Sequence, residues 1–311
     1  MIAFIVRRLL QAVLVVFAVT TLVFFLIRIS GDPASLGVSL DENRTPEEIQ
    51  AEYQQIRAEM GLDKHLLVQY GLFWTRTLQG DFGYSFRYGI PTVKLISERL
   101  PNSLRLGLVA LVIGIVVGLP LGVVAALRRG SILDNVATTI AVFGIVVPQF
   151  WLGIMLILLF SVELGWLPTS GTGSWKHIIL PALTLSTGLT ATVARMARSG
   201  MLEALNQDYI RTAYAKGLSQ RIVILRHALR NSSISIITVV ISSLPHLIGT
   251  VVVVEVVFAW PGVGNLMAQA VANRDYPVVF ADVILFGTLT VLAFLLLDLL
   301  YSVVDPRIRH R

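Results

Sequence analysis

The chain has 311 residues, of which 55% are hydrophobic and 14% are charged. Soluble domains carry about 25% charged residues, so this composition excludes a soluble globular protein and predicts one that crosses a membrane several times. The net charge of +6 is concentrated in particular loops, which indicates membrane topology rather than nucleic-acid binding. The absence of cysteine excludes disulfides, thiolate metal ligands and a cysteine nucleophile.

The first predicted element is a transmembrane helix close to the N-terminus. Residues 9–27 contain no charged residue and are long enough to cross about 30 Å of hydrocarbon. A cleaved signal peptide is the alternative, but its apolar part is usually about 7–15 residues long, and residues 28–32 offer no clear cleavage site. We therefore expect residues 1–28 to form an N-terminal tip and an uncleaved first span.

An extracytoplasmic helical region is predicted for residues 29–100. Thr45 to Glu48 is a capping box with proline at the first helical position, and Gly61 and Gly80 are expected to end two helices. A third helix fits residues 91–100. Apolar residues at helical spacing are expected to pack on the membrane-spanning part rather than to form a ligand site; they are Leu66, Leu67, Tyr70, Phe73 and Trp74.

Five further spans are predicted at residues 104–127, 136–162, 178–196, 232–257 and 280–304. The second span carries Gly114, Gly118 and Gly122, and small residues four apart allow helices to approach closely in lipid. Pro148 and Gly153 interrupt the third span, and Pro245 lies midway in the fifth. The predicted fold class is therefore all-α, a polytopic membrane protein with six transmembrane helices and an external helical region.

The basic residues predict the orientation of these spans. Six spans place both termini on one side, and the segments on that side hold fourteen basic residues against four acidic ones, whereas residues 29–100 hold seven basic and ten acidic ones. The positive-inside rule therefore predicts cytoplasmic termini. The fourteen are Arg7, Arg8, Arg128, Arg129, Arg195, Arg198, Arg211, Lys216, Arg221, Arg226, Arg230, Arg307, Arg309 and Arg311.

Several polar residues fall inside the predicted spans. Glu255 and Asp282 lie near the outer boundary and are either solvated there or functional, while Asp298 either pairs with a neighbouring helix or relays protons. His246 follows Pro245, which frees a backbone carbonyl, so the histidine either satisfies that carbonyl or lines a pathway. The hydroxyls of the fourth span, Thr187 and Thr190 among them, suit either a polar pathway or contacts between helices.

The segment between the fourth and fifth spans is polar and basic. Residues before Gly217 suit a short helix that the glycine ends, and Ser219 can cap a second helix over residues 220–230. Two short helices joined at a glycine form a surface that another protein can grip. The alternative is a basic loop that only sets topology.

Motifs for chemistry are missing from the sequence. It contains no Gly-x-x-x-x-Gly-Lys-Ser/Thr for binding ATP and no Gly-x-Ser-x-Gly nucleophile motif, and its five histidines are scattered without a helical i, i+4 pair. We therefore expect neither catalytic residues nor a metal site in this chain.

Residues 208–218 resemble the EAA loop of ABC-importer permeases, the coupling helix that docks on an ATPase subunit. With residues 227–231, His-Ala-Leu-Arg-Asn, the segment is similar to the dipeptide/oligopeptide/nickel permease family. Thr212 stands where the general motif has an acid, and Tyr214 where this family often has arginine. Similar stretches cover essentially the whole chain and resemble the B-type, dipeptide permease B-like subunit: residues 31–33, 61–64, 69–70, 80–85, 129–131 with 134, 148–151, 180–182, 198 with 201–203, 255–264, 274–278, 298–301 and 305–309.

The resemblance implies an ABC type I importer permease fold, with residues 101–311 as a five-helix permease core and a cytoplasmic coupling loop at residues 199–231. The implied ATPase-coupling residues are Glu203, Asp208, Tyr209, Arg211, Thr212, Ala213, Ala215, Lys216, Gly217 and Leu218. The outer loop at residues 256–278 is implied to reach the binding protein, with contacts from Trp260, Pro261, Gly262, Asp275 and Tyr276. Candidate pathway residues are Thr187, Thr190 and His246.

The resemblance also implies partners and a location. A second homologous permease would complete a heterodimeric pore in the bacterial inner membrane, one or two ATPase subunits would bind ATP and magnesium, and an extracytoplasmic binding protein would deliver di- or oligopeptides. This chain itself would be non-catalytic and without a cofactor. Nickel chelates, glutathione or haem are alternative cargoes, and a secondary transporter or a membrane enzyme are alternatives from other classes, although the sequence shows no paired intramembrane charges.

Overall fold

A computed structural model describes residues 2–30, 45–59 and 61–304. Within these ranges the regular structure is helical, and extended backbone pairs only in an isolated antiparallel bridge between Tyr84 and Pro91. The α-helices are α1 (Ile2–Ser30), α2 (Pro46–Glu59), α3 (Leu66–Leu78), α4 (Thr92–Leu127), α5 (Ile132–Val146), α6 (Gln149–Leu156), α7 (Ile179–Leu205), α8 (Asp208–Ala215), α9 (Gln220–Ile222), α10 (Leu229–Ser242), α11 (Leu244–Val257), α12 (Val263–Ala272) and α13 (Tyr276–Val304). Ile157–Glu163 and Val223–Ala228 are π-helical, and Trp175–Ile178 is a 3-10 turn.

Four stretches of the described chain are long and apolar enough to cross a membrane unbroken: Val6–Ile29, Thr92–Leu127, Trp175–Leu205 and Tyr276–Leu299. Two further helix pairs pass the same test but are bent. The pair Ile132–Val146 and Gln149–Glu163 bends by 108°, and the pair Gln220–Ser242 and Leu244–Val257 bends by 45°. The count is six if each bent pair crosses once, in agreement with the predicted all-α membrane fold.

The two bends lie at the prolines that the sequence singled out. Proline lacks the N–H that would continue a helix. Val147 and Pro148 have extended backbone between α5 and α6, and Pro245 occupies the first turn of α11.

The chain divides into two compact units. The N-terminal unit comprises Ile2–Pro101 and Gly262–Thr288, and the central unit comprises Asn102–Pro261 and the chain from Leu289. The predicted division at residues 28 and 100, which assigned segments to the sides of a membrane, stays a prediction.

Aromatic packing organises the N-terminal unit. Phe24 of α1 lies 5.3 Å from the ring of Tyr70 and 5.2 Å from that of Phe73, both on α3. Phe73 also lies 5.0 Å from Phe280 of α13, and the Tyr70 hydroxyl lies 2.7 Å from that of Thr21. The aromatic members of the predicted stripe therefore pack on membrane-spanning helices, whereas Leu66 and Leu67 remain exposed.

Helix ends in the N-terminal unit follow the predicted signals, with one correction. Thr45 and Glu48 form the capping box, since each backbone N–H donates to the other residue's side chain at 2.9 and 3.3 Å. Gly61 and Gly80 follow α2 and α3 with φ of +66° and +76°. The predicted separate helix at residues 91–100 is wrong, because α4 starts at Thr92 and continues through Pro101. Leu95, in the first turn of α4, is buried, which favours a helix there, and the helix continues through Pro101 despite the hydrogen bond that the proline removes.

Helix α7 is the centre of the central unit and contacts α5, α6, α10 and α11. The glycine stripe of α4 also packs on α7. A Cβ atom at Gly114 would lie 2.6 Å from Leu189 Cδ2, one at Gly118 would lie 2.6 Å from the Thr190 carbonyl oxygen, and one at Gly122 would overlap the Ala194 carbonyl. The predicted close helix packing is confirmed, and its partner is α7.

Two carboxylates near the predicted outer boundary are buried in the chain and are not exposed to water. Glu255 of α11 and Asp282 of α13 both have 0% exposure in the chain. Their positions near a predicted membrane boundary could not show that other side chains bury them.

Candidate functional site

A helical hairpin follows α7 and leads into α10. Gln207 precedes α8 with extended backbone, and Gly217 follows it with a φ of +77°, a conformation that favours glycine. The N–H of Gly217 donates to the Tyr214 carbonyl at 2.9 Å, and that of Leu218 donates to the Ala213 carbonyl at 3.3 Å. Gly217 therefore ends α8 as predicted.

The second arm of the hairpin is longer than predicted. Ser219 occupies the position before α9, but its side chain makes no capping hydrogen bond. From Gln220 the chain continues through α9 and the π-helical turn into α10 without a break until Ser242. The prediction of a separate helix over residues 220–230 is wrong, since no glycine or proline lies between Arg230 and Pro245 to end it.

One face of α8 is buried in what we call the hairpin core. Ile210 and Ala213, one helical turn apart, are 2% and 5% exposed. They pack among buried residues from the ends of α4 and α7 and from the second arm: Ala126, Met201, Ala204, Val223 and Ala228. Leu218 packs against the same cluster. The core attaches α8 to both flanking helices.

The opposite side of α8 forms an exposed surface, which we call the docking face. It carries most of the predicted coupling residues: Asp208, Tyr209, Arg211, Thr212, Ala215, Lys216 and Gly217, and also Tyr214. Asn231 on the second arm donates to the Tyr209 hydroxyl at 3.1 Å and joins the two arms. Glu203 is exposed on the last turns of α7. Of the predicted coupling residues, Ala213 and Leu218 instead face the hairpin core.

An ion pair that the sequence analysis missed lies in the same unit. Arg198 of α7 donates through Nε and Nη2 to the two carboxylate oxygens of Asp134, at 2.6 and 2.9 Å. Asp134 also accepts the backbone N–H of Gly130 at 2.9 Å and is 3% exposed. The pair fixes the start of α5 onto α7. The sequence carries no signal that pairs two residues 64 positions apart. Ser131, three residues before Asp134, indicates only that a helix starts there.

A cavity of about 440 Å³ lies at the bend between α5 and α6. Residues 144–150 form one side of it, and α7, α11 and Ser243, which lies between α10 and α11, supply the rest. Its polar lining side chains are Gln149, Thr192, Ser243, His246 and Thr250. His246 is thus the candidate pathway residue that lines this cavity, together with polar groups that the sequence analysis did not select.

The other two pathway candidates lie elsewhere on α7. The Thr187 hydroxyl donates to the Thr184 carbonyl at 2.6 Å. The backbone of Thr190 lies against Gly118 of α4. Their role in a pathway stays a prediction.

The predicted binding-protein contacts are mostly buried. In the central unit, Trp260 is 3% exposed, and its Nε1 donates to the Asn102 carbonyl at 3.1 Å. Asn102 in turn donates to the carbonyl of half-buried Pro261 at 2.9 Å. These groups hold the end of the α11 segment in place.

The remaining contacts of this set lie in the N-terminal unit, where Gly262 is buried and Asp275 and Tyr276 are 2% and 9% exposed. Asp275 accepts the Ser85 hydroxyl and the backbone N–H groups of Phe86 and Arg87, so it organises the loop before α4. Direct contact of these side chains with another protein stays a prediction.

The described residues contain no group of three or more His, Asp or Glu side chains placed to hold a metal ion. Two known protein families match the sequence along its length. Residues 118–310 match the family described as binding-protein-dependent transport system inner membrane component, and residues 1–107 match its N-terminal counterpart. The chain belongs to this family of transport permeases.

Relatives of this permease align with it over their whole length. It is 39% identical over 312 residues to the glutathione transport system permease protein GsiC of Escherichia coli strain K12, with 100% of both chains covered. The GsiC proteins of Escherichia coli O1:K1 and of Shigella dysenteriae serotype 1 match at the same identity and coverage.

Solved structures share the fold of the permease. An inward-facing structure of the MetNI methionine ABC transporter matches with a TM-score of 0.52 at 22% identity, covering 70% of this chain and 96% of that chain. An amino acid ABC transporter crystallised with histidines matches with a TM-score of 0.53 at 16% identity, covering 67% and 92%. The chain is therefore a membrane-embedded, non-catalytic permease subunit of an ABC importer, a system that also comprises ATPase and substrate-binding components.

Proposed function

We propose that this permease forms half of the translocation pathway of an ATP-driven importer of small peptides in the bacterial inner membrane. A second, homologous permease forms the other half, and an extracytoplasmic binding protein delivers the cargo. Free peptides are zwitterionic and do not cross hydrocarbon unaided, so a dedicated passage is required. The proposal is supported by the full-length 39% identity to a glutathione permease, since glutathione is itself a tripeptide.

We further propose that the docking face is the surface through which ATPase subunits drive the permease. The observation that carries this proposal is the contrast between the two sides of α8. Ile210 and Ala213 are locked into the hairpin core, while Tyr209, Arg211 and Lys216 are exposed. A helix attached to two flanking helices transmits a force applied to its free side. In this proposal the hairpin is cytoplasmic, both termini lie on that side, and ATP and magnesium are bound by the partner subunits.

The cargo is tested on the complete importer. The binding protein is purified from cells and its bound ligand identified by mass spectrometry, and the importer is then reconstituted in proteoliposomes with that binding protein. We expect uptake of radiolabelled glutathione or dialanine. This uptake should require ATP on the side of the membrane that carries the ATPase subunits. A binding protein that carries a nickel chelate or haem, with no peptide uptake, would refute peptide import and leave the permease assignment intact.

A further inference from the structure

The cavity at the α5–α6 bend combines a broken helix with a mainly apolar wall. Pro148 has no N–H, so the carbonyl of Gly144 lacks its usual helical partner. Backbone outside a helix is tolerated at membrane depth only where protein buries it or where it lines a cavity. Here residues 144–150 line the cavity. Its inner wall includes the buried side chains Leu185 and Leu189, so the cavity reaches the interior of the unit.

The hydroxyl groups of the lining already donate to their own helices. Thr192 donates to the Gly188 carbonyl at 2.8 Å, Thr250 to the His246 carbonyl at 2.9 Å, and Ser243 to the Val239 carbonyl at 2.8 Å. These groups stabilise the wall and have no donor left for a ligand.

Two lining side chains differ from the hydroxyls. Within the described part of the chain, neither the Gln149 amide nor the His246 imidazole forms a side-chain hydrogen bond, and Oε1 of Gln149 is buried. Buried polar atoms are normally hydrogen-bonded, because leaving them unsatisfied is unfavourable. A ligand that donates a hydrogen bond to Oε1 of Gln149 would remove that penalty, and the exposed His246 ring is accessible to the same ligand.

The chemistry of the cavity selects a class of ligand. A glutamine amide presents a donor and an acceptor side by side, which complements a peptide group. Its volume of about 440 Å³ falls within the range of about 300–1,000 Å³ typical of small-molecule sites. None of the described lining residues is Asp, Glu, Lys or Arg, so no strong ion pair would hold a bound molecule. Conduction through a membrane requires such weak binding, because the cargo must also leave.

We propose that this cavity is a transient cargo site in the permease for peptides of two or three residues, in which Gln149 pairs with a peptide group and His246 with a carbonyl or carboxylate. The inference rests on the proposed function and adds a binding site within the permease itself. A side chain of the second permease is the competing occupant, which the experiment distinguishes.

The test uses the complete importer in proteoliposomes, with its binding protein saturated by radiolabelled glutathione or dialanine. Gln149→Leu and His246→Leu remove the two free polar groups. We expect each to lower the maximal uptake rate about ten-fold, the effect of losing one good hydrogen bond. Gly188→Ala is a milder second variant, since its added methyl would lie 3.6 Å from Nε2 of Gln149 without a clash. Gly249→Ala is its matched control, because nothing lies within 4 Å of that position and it does not line the cavity.

A direct measurement of occupancy accompanies the rates. A glutathione analogue carrying a diazirine is expected to crosslink to residues 144–150 in the unaltered importer, and about ten-fold less in Gln149→Leu. If the unaltered importer takes up peptide while all three cavity variants match Gly249→Ala, or if residues 144–150 crosslink to the second permease instead, the cavity inference is wrong and the proposed function stands. If the unaltered importer takes up no peptide and shows no crosslink, both are wrong.

Discussion

Asp134 and Arg198 show how one contact joins distant parts of the chain. Removing one partner leaves a charge in a largely buried place, which costs about 3–5 kcal/mol for fully buried pairs. Because 31% of the Arg198 side chain is exposed, we expect Arg198→Ala to lower the unfolding free energy by about 3 kcal/mol, at the low end of that range. Thermal unfolding of the purified complex measures the effect.

The controls for this pair lie on the same helices. Arg195 is exposed on α7, and Arg195→Ala is expected to leave the melting temperature unchanged. Replacing both partners, Asp134→Leu with Arg198→Met, removes the charges together and should recover much of the loss. A double variant as unstable as the sum of the single variants would show that the two residues act independently.

Lys216 tests the charge of the docking face. It is exposed next to Gly217, and we expect Lys216→Glu to reduce the ATPase that co-purifies with the permease, because a reversed charge repels acidic groups that a basic face attracts. The measurement is ATPase stoichiometry in the purified assembly at low and high salt. Lys176→Glu, in the exposed turn before α7, is the matched control. Full stoichiometry in Lys216→Glu would mean that the lysine contributes to topology alone.

Among the described glycine positions, three of those on α4 lie closest to another helix, and that helix is α7. Gly122→Ala would place a methyl group against the Ala194 carbonyl, and Gly107→Ala, on the same helix, would meet Leu247 at an ordinary 3.8 Å. We expect Gly122→Ala to destabilise the permease by about 1–3 kcal/mol through overpacking, and Gly107→Ala to be neutral or slightly stabilising. The melting temperatures of the two variants test this expectation. Equal values would show that α4 and α7 can separate without a loss of stability.

The turn after α8 is tested by Gly217→Pro. Proline holds φ near −65°, against the +77° of Gly217, and it removes the N–H that donates to Tyr214. We expect membrane insertion to persist and peptide uptake to be lost, because α8 would no longer end against the hairpin core. Gly165→Pro creates the same conflict at another glycine with positive φ, outside the hairpin, and should retain uptake. Normal uptake in Gly217→Pro would contradict a coupling role for the hairpin.

The elements that sequence predicted well are those with a strong local signal. Gly61, Gly80 and Gly217 end helices because each takes a positive φ, and Pro148 and Pro245 mark the two bends because proline cannot donate. Local signals failed where packing decided. Pro101 did not end α4, and the arm after Ser219 ran on into α10.

The candidate site was predictable to a similar degree. The polar pattern of residues 208–217 indicated the hairpin, and the structure then separated the docking face from the buried Ile210 and Ala213. His246 was found through its proline neighbour. Gln149 and the Asp134–Arg198 pair were missed, because the side chains that meet across α5, α6, α7 and α11 are distant in sequence.

For the whole molecule, orientation is the property on which the coupling proposal depends. The chain contains no cysteine, so a single introduced cysteine reports one location. Ala215 and Thr172 are both exposed, and basic residues predict that they lie on opposite sides of the membrane. We expect Ala215→Cys to react with a membrane-impermeant maleimide only in inverted vesicles, and Thr172→Cys only in intact cells with a permeable outer layer. Labelling of Ala215→Cys from outside would place the hairpin on the wrong side for an ATPase.

Under the proposed coupling, the π-helical turn Val223–Ala228 affects the motion that the hairpin would pass to α10. It connects the arm that carries the hairpin to α10 through a wider coil than an α-helix has. Tightening that coil by one residue would swivel α10 by about 100° while advancing it only ~1.5 Å. This linkage therefore favours rotation of α10 about its axis over translation along it. A small force at the base of the hairpin would change which side chains of α10 face the neighbouring helices.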